Sequence, residues 1–177
     1  MKTCCVTGHR PKGFPFNYEA KDSIEMALYQ EALAHKIKKL MRRGYASFIT
    51  GMAKGVDLDF AWHVLRFRET IFRDILDITL EAAIPYPSQS KSWQEPYIDD
   101  YEYILKYCDT RTIVSPAYRA GCEQRRNEYM VDKSDLVLAV WNGVRQGGTW
   151  NTIRYAQKVG KTIEIIYLHD IIKNPLV

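Results

Sequence analysis

The sequence predicts an α/β fold, doubly wound, with a mainly parallel sheet flanked by helices. Strand-like and helix-like segments alternate along the chain, and several of the strand-like runs are continuously apolar, as in strands covered on both faces. Three strand-to-helix connections are also rich in glycine, which marks one edge of the sheet as the functional one.

The first strand reads as Thr3–Thr7, broken at Gly8 by a polar, proline-containing loop that reaches Asp22. A helix then begins at Ser23, a suitable N-cap, and carries Ile24, Leu28, Leu33, Ile37, Leu40 and Met41 at helical spacing before Arg42, Arg43 and Gly44 end it. Ala46–Thr50 is a strand, Gly51–Val56 a turn, and Asp57–Arg68 a helix with Leu58, Ala61, Trp62 and Leu65 on one side. The same grammar repeats with a strand over Ile75–Ile84, a Pro-, Ser- and Gln-rich loop, a helix over Pro96–Tyr107 and a short strand at Ile113 and Val114. Arg119–Lys133 reads as helix, Leu136–Trp141 as a buried strand, Gly148–Lys158 as helix and Thr162–Leu168 as the last strand.

With 177 residues and 46% hydrophobic content, the chain supports one sizeable core, and a single domain over residues 1–177 is expected. Its 25 basic and 21 acidic side chains give a formal charge of +4, which permits an anionic partner without requiring one. No run approaches the roughly 18 apolar residues of a membrane span, and the N-terminal stretch turns polar too early for a signal peptide. A cytoplasmic protein with no membrane partner is the expectation. Cys4, Cys5, Cys108 and Cys122 form no C-x-x-C pair, and the first two should point to opposite faces of a strand. They read as buried or incidental thiols, with no metal site.

The glycine connections are Thr7–Gly13 (TGHRPKG), Thr50–Asp57 (TGMAKGVD) and Trp141–Thr149 (WNGVRQGGT). Glycine lets backbone N–H groups approach a phosphate, and the following helix N-terminus favours an anion. Gly8, Gly51, Gly55, Gly147 and Gly148, with the neighbouring Met52, Ala53 and Thr149, are therefore candidate phosphate contacts. A tight turn is the better explanation of any one loop; three at one edge favour the ligand. His9 suits either a loop hydrogen bond or proton transfer, and Arg10 offers a planar fork for phosphate. Lys54 would neutralise phosphate or face solvent, while Asp57 would cap its helix or hold a ligand hydroxyl. Trp93, in a loop, is the candidate for base stacking, whereas Tyr97 and Tyr101, one helical turn apart, read as packing. Neither G-x-G-x-x-G nor the P-loop pattern is present.

Ile49–His63 (ITGMAKGVDLDFAWH) resembles the SGxAxGID motif of DprA/Smf DNA-processing proteins, with Thr50 in place of the serine. Arg125–Asp135 (RRNEYMVDKSD) is similar to that family's RNR-to-LSD segment, and Thr7–Arg10 (TGHR) to its opening VGxR turn. On these motifs the chain is identified as a member of the SLOG superfamily, the Rossmann-like nucleotide-binding group that includes Smf/DprA and LOG proteins. Val6–Gly8 (VTG), Ser92–Pro96 (SWQEP) and Asp132–Asp135 (DKSD) resemble its small YpsA-like branch, and the likeness runs through roughly the whole chain.

The resemblance implies a pocket for a nucleotide or a nucleotide-derived phosphate ligand, bound or sensed, and it assigns no certain cofactor. LOG-type enzymes cleave nucleoside monophosphates with an arginine and the glutamate of PGGxGTxxE, so the likeness implies Arg126 as a candidate catalytic residue and Arg126 with Asn127 as ligand contacts. The glutamate position here is Thr152, which cannot ionise as a carboxylate base, leaving Glu128 as the substitute. DprA proteins bind single-stranded DNA, and on that similarity Arg10, Lys12, Arg119, Arg125 and Arg145 are candidate contacts. Single-stranded DNA binding and LOG-like N-glycosidic hydrolysis are thus the alternatives to nucleotide binding, and a homo-oligomer is compatible with each.

Overall fold

The computed structural model describes residues 1–173. Its sheet has six strands, β1 (Lys2–Gly8), β2 (Tyr45–Thr50), β3 (Thr79–Ile84), β4 (Thr110–Ile113), β5 (Leu136–Trp141) and β6 (Thr162–Tyr167). They lie in the order β4-β3-β2-β1-β5-β6, and every pairing is parallel. The helices are α1 (Ile24–Arg42), α2 (Val56–Glu69), α3 (Tyr97–Tyr107), α4 (Cys122–Asp132), α5 (Gly147–Lys158) and α6 (Leu168–Lys173). This is the doubly wound, Rossmann-like α/β architecture expected from the alternation of elements. The chain runs outward from β1 to β4 and then returns to place β5 against β1, so the strand order reverses there. A crevice opens at such a switch point, at the carboxyl ends of the strands.

Side chains alternate across the sheet and fill two layers. Cys4, Val6, Phe48, Leu80, Leu138 and Val140 pack with α1, α2 and α3 on one face, while Cys5, Ile49, Ala83 and Val137 pack with α4 and α5 on the other. The adjacent cysteines therefore do face opposite ways. All six residues of β5 are buried, as a central strand covered on both sides must be. At the head of α1, Ser23 Oγ accepts a hydrogen bond from the Met26 amide at 3.2 Å, the predicted cap.

Several boundaries and faces depart from the sequence reading. The buried stripe of α1 is Met26, Tyr29, Leu33, Ile37, Leu40 and Met41; Ile24 is exposed and Leu28 only half-buried, because the helix face set by Met26, Tyr29 and Leu33 leaves both to its side. Trp62, expected to face inward with Leu58, Ala61 and Leu65, is instead exposed and stacks on Tyr103 of α3, with its indole N–H donated to Asp100. The strand expected from Ile75 starts at Thr79: a turn closed by the Ile75 and Leu76 amides on the Phe72 carbonyl leaves Ile75 in solvent and buries Phe72. β4 is Thr110–Ile113 rather than Ile113 and Val114, and α4 begins at Cys122 rather than Arg119, after Gly121 at φ +79°. The last strand ends at Tyr167; Leu168, read as its final residue, opens α6 and is buried.

The long loop after β1 is pinned rather than loose. Phe14 and Tyr18 are buried against Tyr29 of α1, and the Tyr18 and Tyr29 hydroxyls both donate to Asp59 Oδ2 at 2.8 Å. Burial pushes the Asp59 carboxyl upward, and the two phenols oppose that push. This clamp fixes the loop that carries His9 and Arg10.

Candidate functional site

The β1 and β2 loops grip each other at the carboxyl edge of the sheet. The Val56 amide donates to the His9 carbonyl at 3.2 Å. A Cβ at Gly8 would lie 2.5 Å from the Val56 side chain, and one at Gly55 would lie 2.6 Å from the His9 carbonyl oxygen. Gly55 also stands at φ +91°, a conformation that L side chains rarely adopt. Within the β2 turn, Thr50 Oγ1 donates to the Asp57 carbonyl at 2.7 Å, and Asp57 Oδ2 accepts from the Ala53 amide at 3.2 Å. Met52, fully buried at φ +59°, completes the bend. These glycines are thus required by protein packed against protein.

Gly51 serves a different neighbour. A Cβ there would meet Arg126 Nη1 at 2.1 Å and Asp57 Oδ2 at 2.6 Å, so its missing side chain makes room for a buried ion pair. Arg126, from α4, is 4% exposed and its Nη1 stands 3.7 Å from Asp57 Oδ2. Its Nε donates to Asn127 Oδ1 at 2.8 Å, whereas Nη1 is buried with no hydrogen-bond partner. Burial lowers the Arg126 pKa and raises that of Asp57, each opposed by the charge of the other. A pair at this distance without a shared hydrogen bond leaves guanidinium donor capacity for something else.

A cleft of about 400 Å³ has Arg126 in its lining, with β1 and its loop (Val6–Arg10), Ala53, Asp57, Glu123, Asn127, Gly148 and Thr149. Its location is the switch point between β1 and β5. Here the third glycine loop contributes: Gly147 and Gly148 have nothing within 4 Å of where a Cβ would lie, and Gln146, the N-cap of α5, supplies no side-chain cap. The first-turn N–H groups of α5 therefore stay available to an anion. His9 bridges the loops, with Nε2 accepting from the Asn142 amide at 3.1 Å while Asn142 Nδ2 donates to the Gly13 carbonyl at 3.0 Å. Burial lowers the His9 pKa, and the hydrogen bond that Nε2 accepts places the ring proton on Nδ1.

A second cleft of about 290 Å³ adjoins the first and shares Arg10, Ala53, Glu123 and Arg126 with it. Lys54, Tyr86, Gln89, Ser92 and Trp93 form the rest of its wall. Trp93 packs edge-on against Tyr101, and Lys54 Nζ sits 5.1 Å from the Trp93 ring centroid and 4.9 Å from that of Tyr97. Lys54 thus lies over one face of the ring of Trp93, the residue expected to stack on a base.

The YspA SLOG family model matches residues 4–171, nearly the whole described chain. The chain belongs to this family. Among similar proteins, a UPF0398 protein of Bacillus cereus (strain G9842) is 26% identical over 163 residues, covering 91% of this chain and 85% of its own length. A UPF0398 protein of Bacillus thuringiensis (strain Al Hakam) matches with the same identity and coverage.

In this member of the YspA SLOG family, the sequence motifs converge only in part. Gly8, His9, Arg10, Ala53, Asp57, Arg126, Asn127, Gly148 and Thr149 line the first cleft, and Lys54 and Trp93 the second. Gly51, Met52 and Gly55 shape the walls from behind, and Gly147 lies just outside the lining. Glu128 is not brought in. It pairs with Gln124 and lines a separate surface hollow with Arg154 and Lys158, because its position on α4 turns it away from Arg126. Thr152 is fully buried and donates its hydroxyl to the Gly148 carbonyl at 2.9 Å, so it braces α5. Lys12, Arg119, Arg125 and Arg145 are exposed outside both clefts; Arg145 lies over Trp150 and Arg125 donates to the Ala120 carbonyl.

The sequence reading missed three residues. Glu123, one turn before Arg126 on the same helix face, is the carboxylate that the clefts share, and its i, i+3 spacing could have revealed it. Asn142 and Gln89 carried no comparable signal. Among the described residues no helix is long and apolar enough to cross a membrane.

Proposed function

We propose that this protein binds a nucleotide or nucleotide-derived ligand through its phosphate, in the cleft between the β1 and β5 loops. The observation that carries the reading is Arg126, buried yet holding an Nη1 donor without a protein acceptor. A buried unsatisfied donor costs on the order of 1–3 kcal/mol, a cost that a bound anion removes. A phosphate oxygen suits that donor, since guanidinium matches it in charge and planarity. The N–H groups at the head of α5 and the exposed Arg10 fork supply further anion contacts. Membership of the YspA SLOG family supports a nucleotide-related ligand.

Calorimetry of the full chain against a panel of nucleotides and nucleotide derivatives tests this. Saturable binding that falls at least tenfold in Arg126→Ala is the expected result. A folded sample that binds none of the panel refutes it. Affinity for oligonucleotides that drops steeply with salt, with none for nucleotides, would transfer the assignment to single-stranded DNA.

A further inference from the structure

Among the described residues, the buried side-chain polar atoms that lack a hydrogen-bond partner are Arg126 Nη1 and Gln89 Oε1. One is a donor and the other an acceptor, and they belong to the walls of the two adjoining clefts. Buried polar groups are paired in the great majority of cases, so two orphans of opposite sense on residues of two clefts that share a wall point to one molecule that satisfies both. Gln89 cannot turn its amide to resolve the matter internally, because Nε2 already donates to the Met52 carbonyl.

The second cleft is polar where Gln89 faces it. Lys54 and Ser92 add a cation and a hydroxyl, and Lys54 lies over one face of the Trp93 ring. Hydroxyl groups, which both donate and accept, fit such a lining better than an aromatic plane does. The shared wall sets two guanidinium groups, Arg10 and Arg126, against one carboxylate, Glu123, and this excess of cation suits phosphates that link two parts of a ligand.

We propose that the second cleft is a subsite for a hydroxyl-bearing group carried on the terminal phosphate of a nucleoside diphosphate, so that the preferred ligand class is the nucleoside diphosphate sugars. This rests on the phosphate reading of the first cleft. A hydroxyl donates to Gln89 Oε1 while the diphosphate accepts from Arg126 Nη1.

The test is calorimetry of the full chain with ADP, UDP, ADP-glucose and UDP-glucose. For at least one base, the glucose conjugate is expected to bind about tenfold tighter than the parent diphosphate, the yield of one satisfied buried acceptor. Gln89→Leu should erase that advantage while changing the affinity of the parent diphosphate less than about twofold. Because Gln89 also holds the Met52 carbonyl, Lys54→Met is the companion variant, expected to reduce the same advantage without touching that tie. Equal affinity for conjugate and parent in the unaltered protein overturns the subsite and leaves the phosphate reading standing. Equal weakening of conjugate and parent by both variants also overturns it. Binding of neither ligand type overturns the subsite, and the phosphate reading falls with it when the wider nucleotide panel also fails to bind.

Discussion

Replacing Gly51 by alanine isolates the feature on which the site depends. The added Cβ would lie 2.1 Å from Arg126 Nη1, 2.5 Å from Arg126 Cζ and 2.6 Å from Asp57 Oδ2. Ordinary heavy-atom contact begins at about 3.5 Å, so the closest approach falls short by roughly 1.4 Å. Gly51 is not among the positive-φ glycines, so the cost is spatial and not conformational. The obstructing atoms end a flexible side chain, and Arg126 should swing aside while the fold persists. Overpacking of this kind costs about 2–3 kcal/mol. Loss of a charge-assisted contact should weaken nucleotide binding about ten- to a hundredfold.

The same substitution made in an Arg126→Ala background should be much milder, about 1 kcal/mol, because of the three nearest obstructing atoms only Asp57 Oδ2 remains. Urea denaturation of the four proteins of this cycle would then show a coupling of about 1–2 kcal/mol. Additivity within about 0.5 kcal/mol would refute the claim that Gly51 exists to seat Arg126. So would unchanged nucleotide affinity in Gly51→Ala.

Gly55→Ala should be costlier than Gly51→Ala, about 3 kcal/mol or more, since the obstacle is the His9 backbone carbonyl and φ is +91°; Gly44→Ala, at φ +84° with open space around it, should cost only about 1 kcal/mol, and denaturation midpoints rank the three. Glu123→Gln should tighten pyrophosphate binding roughly fivefold, about 1 kcal/mol, by removing a like charge from the cleft; Glu128→Gln, outside it, should leave calorimetric affinity unchanged. His63, half-buried with Nε2 bonded to Gln30 Oε1 at 2.8 Å, has its pKa pushed down to about 4 by burial and by Arg66 and Lys38. Its folded pKa lies below the unfolded 6.5, so its stabilising contribution is full above that value and is lost as pH falls toward about 4. Between neutrality and about pH 5 the loss reaches about 2 kcal/mol, and His63→Gln should remove that much of the pH slope measured by urea denaturation.

Much of the fold was legible because it depends on local pattern. Continuous apolar runs such as Leu136–Trp141 mean burial on both faces, and Ser23 before an amphipathic run means a helix start, whatever lies elsewhere in the chain. The segment before β3 misled because Ile75, Leu76 and Ile78 have the composition of a strand, while the choice between strand and turn is made by the pocket that takes Phe72. Trp62 misled likewise, since its helical position is apolar-facing by spacing but its true partner is Tyr103 on α3. At the site, motif resemblance supplied Asp57 and Arg126 as separate residues. That they neutralise one another could not be read, because it is created by α4 crossing the β2 turn.

The meaning of the glycines changes most between sequence and structure. Three glycine loops at one sheet edge suggest three equal phosphate cradles, yet only the third leaves its glycines open. Gly8 and Gly55 let two loops interlock, and Gly51 seats the buried pair. The first two loops therefore build a rigid wall carrying one fixed cation, while the third offers backbone donors at a free helix end. His9 belongs to the wall: its Nε2 is occupied by the Asn142 amide and its Nδ1 lies where a Cβ on Gly13 would have to be. A ring carried by the β1 loop and bonded through Nε2 to the β5 loop works as a strut between them, setting the spacing between Arg126 and the head of α5 across which a phosphate would be held.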